Sequence, residues 1–561
     1  MVERSGFRHL PKMNKGVGIF ILYLLFFLVY FAQYPINGSL PGNLDTWWCI
    51  HVFEQLNFTQ LFKEANHCGM AGYPDGNLLF LGDVSLLTSF LFNLIHLFFN
   101  NKITAYYILV SLIFSLNSFG MFTCSKHFFK KTGIHFFTGL IFGAAPFFIG
   151  GIDNVGVITV YPITFSFYFF LNYLQQNKNI DLVWFTICAI LQIFSGYYYF
   201  ILGGLILFLD KSARIKCISV NRYSLFASAL ILMVFSAFAM FYNFKITELS
   251  AKNPIDVFNE ETIRLLPEDL SRPLSNNLLY NQVPVRENFE VLNGIHSLFM
   301  GYLVWLLALV AIVKSRSVHK SALLLLLFLG VVLALGASVQ ILGVTYKMPL
   351  YYVYKYFNSG ILRISIRAFF ISHVALCVLA GLGLQVVSTY VRTSLQYLLF
   401  PAIFIVECLA FPLPTYNSQP YLNISNEYQE VINNHSSQSI QTILDLPSSL
   451  YSDVCLTNDL YSYSIDFIYT NWQTQHHQNT LNGRAGFIPS NRLVVDSLVQ
   501  KIDSPESIVK LINDYDLTMV SVHKWLMCDT NNMGLYRQLL ETDELEVVLD
   551  SDSMLVLIVK N

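Results

Sequence analysis

Charge is what this chain has least of. Asp, Glu, Lys and Arg make up 12% of its 561 residues, about half the share carried by soluble domains, so much of its surface is expected to face lipid. No basic tract suggests a nucleic-acid partner, and the formal net charge of −2 points to no other. A cleavable signal peptide is also missing. The first apolar run, Val17 to Val29, leads into Tyr30-Phe31-Ala32-Gln33-Tyr34 with no small-residue cleavage site, and is expected to remain as a signal anchor. Cys49, His51, His67 and Cys68 lie close together, but their spacing matches no zinc pattern. No internal repeat is visible.

Apolar and aromatic residues are abundant. Hydrophobic residues reach 54%, mean hydropathy is +0.50, and there are 48 Phe and 32 Tyr, as expected of lipid-facing helices with interfacial aromatic belts. A helix needs about 20 residues to cross some 30 Å of hydrocarbon. Runs of that kind occur at 17–34, 104–124, 133–151, 157–174, 182–196, 222–243, 297–314, 321–343, 367–387 and 395–412. A shorter run at 197–210 is expected to fold back on 182–196 at Ser195-Gly196. The sum is about eleven spans.

Lys and Arg placement orients them. Arg4, Arg8, Lys12 and Lys15 precede the first run, so the N-terminus is expected in the cytoplasm. The clusters Lys126/Lys130/Lys131, Lys211/Arg214/Lys216 and Lys314/Arg316/Lys320 share that side if 78–99 lies at the outer face instead of crossing. The loops 35–103, 150–156, 244–296 and 344–366 then face outward together with the tail, 413–561. This tail turns polar and mixes β-like stretches at Gln441–Leu446, Leu517–Val522, Leu545–Leu549 and Met554–Val559 with helical ones such as 505–513. It is long enough for one soluble α/β domain. Cys49 with Cys68, and Cys455 with Cys528, could pair in an oxidising compartment. The span cysteines Cys124, Cys188, Cys217, Cys377 and Cys408 read as core residues.

Polar groups near a membrane call for a reason. Asp45 lies in Gly42-Asn-Leu-Asp-Thr-Trp-Trp, where Trp47 and Trp48 would hold it at the water–lipid boundary; His51 and Glu54 follow within about a turn. A capped interfacial helix explains Asp45 equally well. Asp83, inside an apolar run after the Tyr73-Pro-Asp-Gly-Asn turn, needs a polar cavity. Asp153 occupies the short turn Gly150-Gly-Ile-Asp-Asn, which a plain turn also explains. Lys355, Arg363 and Arg367 open a later span. Arg at i and i+4 shares a helix face, and guanidinium forks suit phosphate, with snorkelling as the alternative. Tyr198, in Gly196-Tyr-Tyr-Tyr, offers a stacking surface for a sugar or part of an aromatic belt.

The order and spacing of several segments resemble bacterial polytopic membrane proteins with the GT-C glycosyltransferase fold. These segments are the acidic loop around Asp45, Tyr73-Pro-Asp-Gly-Asn-Leu-Leu-Phe-Leu-Gly-Asp, Thr138-Gly-Leu-Ile-Phe-Gly-Ala-Ala-Pro-Phe, Ser195-Gly-Tyr-Tyr-Tyr, Leu362-Arg-Ile-Ser-Ile-Arg-Ala-Phe-Phe with Leu379-Ala-Gly-Leu-Gly-Leu, Leu444-Asp-Leu-Pro and Thr480-Leu-Asn-Gly-Arg. The resemblance implies transfer of a sugar from a polyprenyl-phosphate-linked donor to a glycan, lipid or protein acceptor on the outer face. It maps the catalytic acid residue onto Asp45, a further acidic position onto Asp153, and membrane-parallel helices onto the first loop. The turn reads Ile-Asp-Asn instead of a paired-acid motif, so metal is not required by the resemblance, although a divalent cation (Mg or Mn) fits the chemistry. A multi-pass protein of a bacterial inner membrane is expected, with its tail outside. The competing readings are a transporter or lipid flippase, whose polar residues would lie deeper in the spans, and a non-catalytic scaffold.

Overall fold

The structure, a computed structural model, describes residues 15–41, 46, 49–50, 52–53, 85–152, 154–212, 226–237, 265, 267–271, 273–274, 277–280, 297–341, 344–357, 365–390, 393–413, 415–416, 425–435, 442–447, 469, 472, 479–481, 505–526 and 533–560. Its bundle is built from apolar helices whose ends follow local chemistry. α1 (Lys15–Tyr30) continues through Gln33–Asn37 into β1 (Leu40–Pro41). α2 (Leu86–His96) precedes α3 (Lys102–Ser125), where the Asn101 side chain caps the helix by accepting from Thr104 N at 3.0 Å. α4 (Thr132–Gly143) is resumed by Pro146–Ile149 with Pro146 at its first position. α5 (Tyr161–Gln176) has Pro162 at its second position and is followed by Asn177 in the left-handed region.

The following helices are α6 (Asn179–Ser212), α7 (Tyr302–Lys314), α8 (Lys320–Ala334), α9 (Pro349–Phe357), α10 (Phe369–Val387) and α11 (Thr393–Cys408). Between α8 and α9 lies the hairpin of β2 (Ser338–Ile341) and β3 (Val344–Lys347). α10 is the centre of the bundle, buried from Phe369 through Leu384. Small residues let its neighbours close on it, with Gly383 set directly against the Leu307 backbone and Gly330 of α8 against Ser372.

Among the described residues, six helical stretches are long and apolar enough to span: Lys15–Asn37, Lys102–Ser125, Thr132–Ile149, Val155–Gln176, Asn179–Gly196 and Ser365–Val387. Among the helices whose ends are described, Tyr302–Lys314 and Lys320–Ala334 are shorter than the expected spans at 297–314 and 321–343. The apolar run at 321–343 holds two elements, because the chain turns at Gly336 (φ +86°) and continues as β2. The run at 297–314 is helical only from Tyr302, after Gly301 at φ +82°. In both, hydrophobicity continues where helix does not, and glycine is the residue that tolerates the change of direction.

The helix ends sort into two faces. Tyr107 at the start of α3 donates to Leu28 O near the end of α1 at 2.6 Å, so the chain returns to the same face after α1. At eleven residues, α2 reaches only about 16 Å along its axis. On the other face, Lys131 Nζ donates to Ser388 Oγ at 3.0 Å, and Phe128 meets His319 at 5.1 Å. That face collects Lys126, Lys130, Lys131, Lys314, Arg316 and Lys320. The first face carries β1, paired antiparallel with β4 (Thr415–Tyr416), and through β4 the C-terminal unit.

Helix α6 is broken inside the bundle. α6 departs from helical geometry at Gly196, where a Cβ would lie 2.9 Å from Gly156 O. Gln192 before the break and Gly203 after it both meet Ile163, so the two arms fold back on each other. Two fully buried amides satisfy the backbone there. Asn117 Nδ2 donates to Ile158 O at 2.7 Å, and its Oδ1 accepts from Val160 N at 3.3 Å. Gln192 Oε1 accepts from Ile163 N at 3.1 Å, while Nε2 donates to Thr159 O and Gly196 O, both at 3.2 Å.

The C-terminal unit has α12 (Asn426–His435), β5 (Thr442–Leu446), β6 (Asn479–Thr480), α13 (Pro505–Tyr515), β7 (Met519–His523), α14 (Met533–Leu540), β8 (Leu545–Asp550) and β9 (Met554–Val559). Its sheet runs β6-β5-β7-β9-β8, parallel among β6, β5 and β7 and antiparallel from β9 onward. β5 and β7 are buried at every residue, as central parallel strands are. One polar knot interrupts this core. Asp445 and Ser521 face each other in register, and Asp445 Oδ1 accepts from Ser521 Oγ, from Tyr428 OH at 2.7 Å and from His523 Nε2 at 3.1 Å.

Two outcomes are expected. Gln192→Leu leaves three backbone groups at the break without their partner, at about 1–3 kcal/mol per buried group, and should lower the thermal unfolding temperature of the detergent-solubilised chain. Unchanged melting would show the amide to be dispensable. For the knot, burial and the Asp445 charge push the Tyr428 hydroxyl well above its usual range. A phenol whose folded pKa is raised contributes fully below its unfolded value near 10 and loses that contribution as pH climbs past it. Tyr428→Phe should therefore destabilise at neutral pH, by about 1.5–3 kcal/mol for a bond to a charged acceptor, and should flatten the loss of stability above pH ~10. A variant with the wild-type alkaline profile would remove Tyr428 as the titrating group.

Candidate functional site

The face that carries β1, β4 and the sheet is where the polar turns converge. Ser85, at the start of α2, approaches the turn before α5: a Cβ on Gly156 would lie 3.8 Å from Ser85 Cβ and 3.7 Å from Ser195 O. That turn is anchored on both sides of position 153. Tyr106 OH donates to Ile152 O at 3.0 Å, and Asn154 Oδ1 accepts from Gly156 N at 3.1 Å. Tyr199, next along α6 after Tyr198, is buried and packs at 4.8 Å on Phe370. Phe370 lies one turn past the 3₁₀ segment Ser365–Ala368 that holds Arg367. Ser365 Oγ donates to Ala334 O at 3.3 Å, tying that segment to the end of α8.

Chain segments next to Asp83, Asp153, Tyr198 and Arg367 are thus drawn to one junction. Asp45, His51, Glu54, Asp83, Asp153 and Arg363 themselves lie outside the described residues, as do Cys68, Cys455 and Cys528. The neighbours of the first three are anchored nearby. Thr46, Cys49, Ile50, Val52 and Phe53 are buried, Phe53 packs on Phe92 at 5.1 Å, and Asn93 Nδ2 donates to Phe53 O at 2.8 Å. The first loop is therefore fastened to α2, whose start meets the 153–156 turn. Tyr198 is helical in backbone and Arg367 is half-buried. Lys355 is exposed on α9 and belongs with Lys347, the two cations lowering the pKa of Tyr351 between them, with the Lys347 hydrogen bond the larger cause. Among the described residues, no three His, Cys, Asp or Glu side chains group as metal ligands.

Two polar features escaped the sequence reading. Asn117 and Gln192 are lone amides in apolar runs, which is itself the signal that a buried backbone needs partners. Glu407, near the end of α11, is buried and accepts from Leu303 N at 3.0 Å, placing a carboxylate at the positive end of the α7 dipole. Asn277 Nδ2 donates to Glu407 O at 2.7 Å, and the Glu407 charge adds to burial in raising the Tyr280 pKa. Gly301 permits this approach, since a Cβ there would lie 2.9 Å from Glu407 Oε2. Glu407 acts as a helix cap.

No family model matches the sequence. No curated protein matches it either. Solved structures do resemble it. Arabinofuranosyltransferase AftD from Mycobacteria aligns at TM-score 0.58 and 11% identity, covering 98% of this chain and 40% of AftD. The oligosaccharyltransferase of Archaeoglobus fulgidus aligns at TM-score 0.50 and 12% identity, covering 91% of this chain and 70% of that one. This chain therefore spans about two-fifths of AftD's length. At such identities the likeness concerns architecture, and it establishes the GT-C-like fold, an α-helical membrane bundle carrying a C-terminal α/β unit.

Proposed function

We propose that this protein is a membrane glycosyltransferase that moves a sugar from a polyprenyl-phosphate-linked donor to a glycan, lipid or protein acceptor at the face bearing the C-terminal sheet. The observation that carries this reading is the convergence of the turns at 85, 153–156, 195–199 and 365–368 on that face. It is supported by a fold shared with two proteins named as glycosyl-transferring enzymes. Asp45 serves as the base. It takes the proton of the acceptor hydroxyl as that oxygen attacks the anomeric carbon, the bond from that carbon to the donor phosphate oxygen breaks, and the configuration inverts. Arg363 and Arg367 take up the charge of the departing polyprenyl phosphate. Asp83 and Asp153 are assigned as further catalytic acidic groups, and His51, Glu54, Lys355 and Tyr198 as groups that bind substrate or its phosphate. A divalent cation would be held by these carboxylates and would neutralise the phosphate.

A transporter reading finds less support. Deep in the bundle, Asn117 and Gln192 are engaged by backbone, using donor and acceptor groups alike at the break. His373 faces Phe142 O at 3.2 Å and the Met300 sulfur at 3.1 Å. Side chains so occupied are not free to line a polar route of the kind transporters use.

Deleting the gene should remove one sugar modification from envelope glycans or lipids, read by mass spectrometry. Wild type should restore it, whereas Asp45→Asn should not, despite equal expression and melting. Restoration by Asp45→Asn would take Asp45 out of the mechanism. Arg367→Lys should retain charge but lose the fork, slowing transfer by roughly 10²-fold if the pair stabilises the leaving group; a wild-type rate would exclude that role. Orientation is tested with single cysteines and an impermeant thiol reagent. Glu430→Cys in α12 should label in intact cells and Lys130→Cys only after permeabilisation. The reverse pattern would invert the topology and move the site to the cytoplasm.

A further inference from the structure

The hairpin of β2 and β3 is unusual for a two-stranded sheet. Such ribbons are marginal in water unless they pack on something, yet all four residues of β3 are exposed. Its residues alternate by chemistry. Val344 and Tyr346 are 53% and 51% exposed and share one face, while Thr345 and Lys347 share the other. In register, Val339 stands opposite Tyr346, whereas Ser338 stands opposite Lys347 and Gln340 opposite Thr345. The ribbon thus has an apolar side and a polar side. It leaves α8 after a turn at Gly336 and returns through Met348, whose N–H donates to Ala337 O at 2.8 Å, into the amphipathic helix α9.

From this we infer that the β2–β3 ribbon and α9 form an interfacial foot that lies on the bilayer surface, with Val339, Val344 and Tyr346 immersed at the acyl boundary. Three observations point to lipid as the occupant. The ribbon follows on α8, whose exposed side chains Leu325 (48%) and Phe328 (67%) are of the lipid-facing kind. Tyr346 of the ribbon and Tyr351 and Tyr352 of α9 belong to the class that gathers at the headgroup level. The accompanying charges are cations. Lys347 donates to Tyr351 OH at 3.2 Å and sits 4.4 Å from that ring's centroid, and Lys355 is one turn further along α9. Cations at this depth suit lipid phosphates. The foot stands beside the 3₁₀ segment bearing Arg367, since Ser365 is bonded to Ala334 at the end of α8. It would therefore hold the site's margin at a set depth in the membrane. The inference needs no particular reaction at that site.

The test uses the full chain in nanodiscs made from lipids brominated in the acyl chains. A fluorescent amino acid is introduced by codon suppression at position 344, 345 or 346 in turn. Contact quenching should be roughly threefold stronger at 344 and 346 than at 345, following the two-residue alternation of a strand lying flat on the boundary. With the probe at 346, Val344→Asp should lift the foot and weaken the quenching, while sugar modification is assayed separately. Equal quenching at the three positions, or none, would overturn the inference. So would protection at 344 and 346 that depends on protein concentration instead of brominated lipid, because a second copy would then be the occupant.

Discussion

A helix that breaks inside an apolar bundle must find new partners for the backbone groups it frees, and this fold is organised around that requirement. Asn117 and Gln192 supply those partners. Between them they hold the carbonyls of Ile158, Thr159 and Gly196 and the amides of Val160 and Ile163. Because these groups are satisfied, α6 can fold back at Gly196 and the chain before α5 can enter the bundle as an irregular turn. In water either break would cost little. In hydrocarbon it would cost several kcal/mol per unsatisfied group.

The consequences spread outward from that break. Gly156 and Gly196 come close enough to bring the turn around position 153 against the start of α2. Tyr199, just past the break, reaches the start of α10 through Phe370. Segments far apart in the chain therefore meet at one end of the bundle. The β1–β4 pairing closes the same end, joining the chain after the first helix to the chain after the last and fixing where the C-terminal sheet begins. Tyr30 reinforces it by donating to Ala410 O at 3.1 Å.

Polar residues inside the protein divide by the task that burial imposes. Asn117, Gln192 and Glu407 complete backbone at breaks and helix ends. Asp445, Ser521 and His523 on the strands and Tyr428 on α12 complete each other inside the buried core of the sheet. The surrounding rings of Tyr469, Trp472 and Trp525 sit 4.9–6.5 Å from His523. Such a knot fixes the register of β5 against β7 more sharply than hydrophobic contact alone, since a one-residue slip would bury each of these groups unpaired.

Much of the architecture was legible in the chain itself. Long apolar runs between Lys clusters located the helices and their shared basic face, because the membrane penalises charge wherever it is not at an end. The β-like stretches at 441–446, 517–522, 545–549 and 554–559 announced four strands of the tail, observed at 442–446, 519–523, 545–550 and 554–559, because alternation or continuous burial is what a sheet demands. Hydrophobicity could not tell where helix stops inside an apolar run, so the turns at Gly301 and Gly336 went unseen. Only the tertiary structure decided which turns meet, that two lone amides hold the break, and that one glutamate caps a helix. Those outcomes depend on contacts between residues from 29 to more than 100 positions apart, and pattern within a single segment carries no record of them.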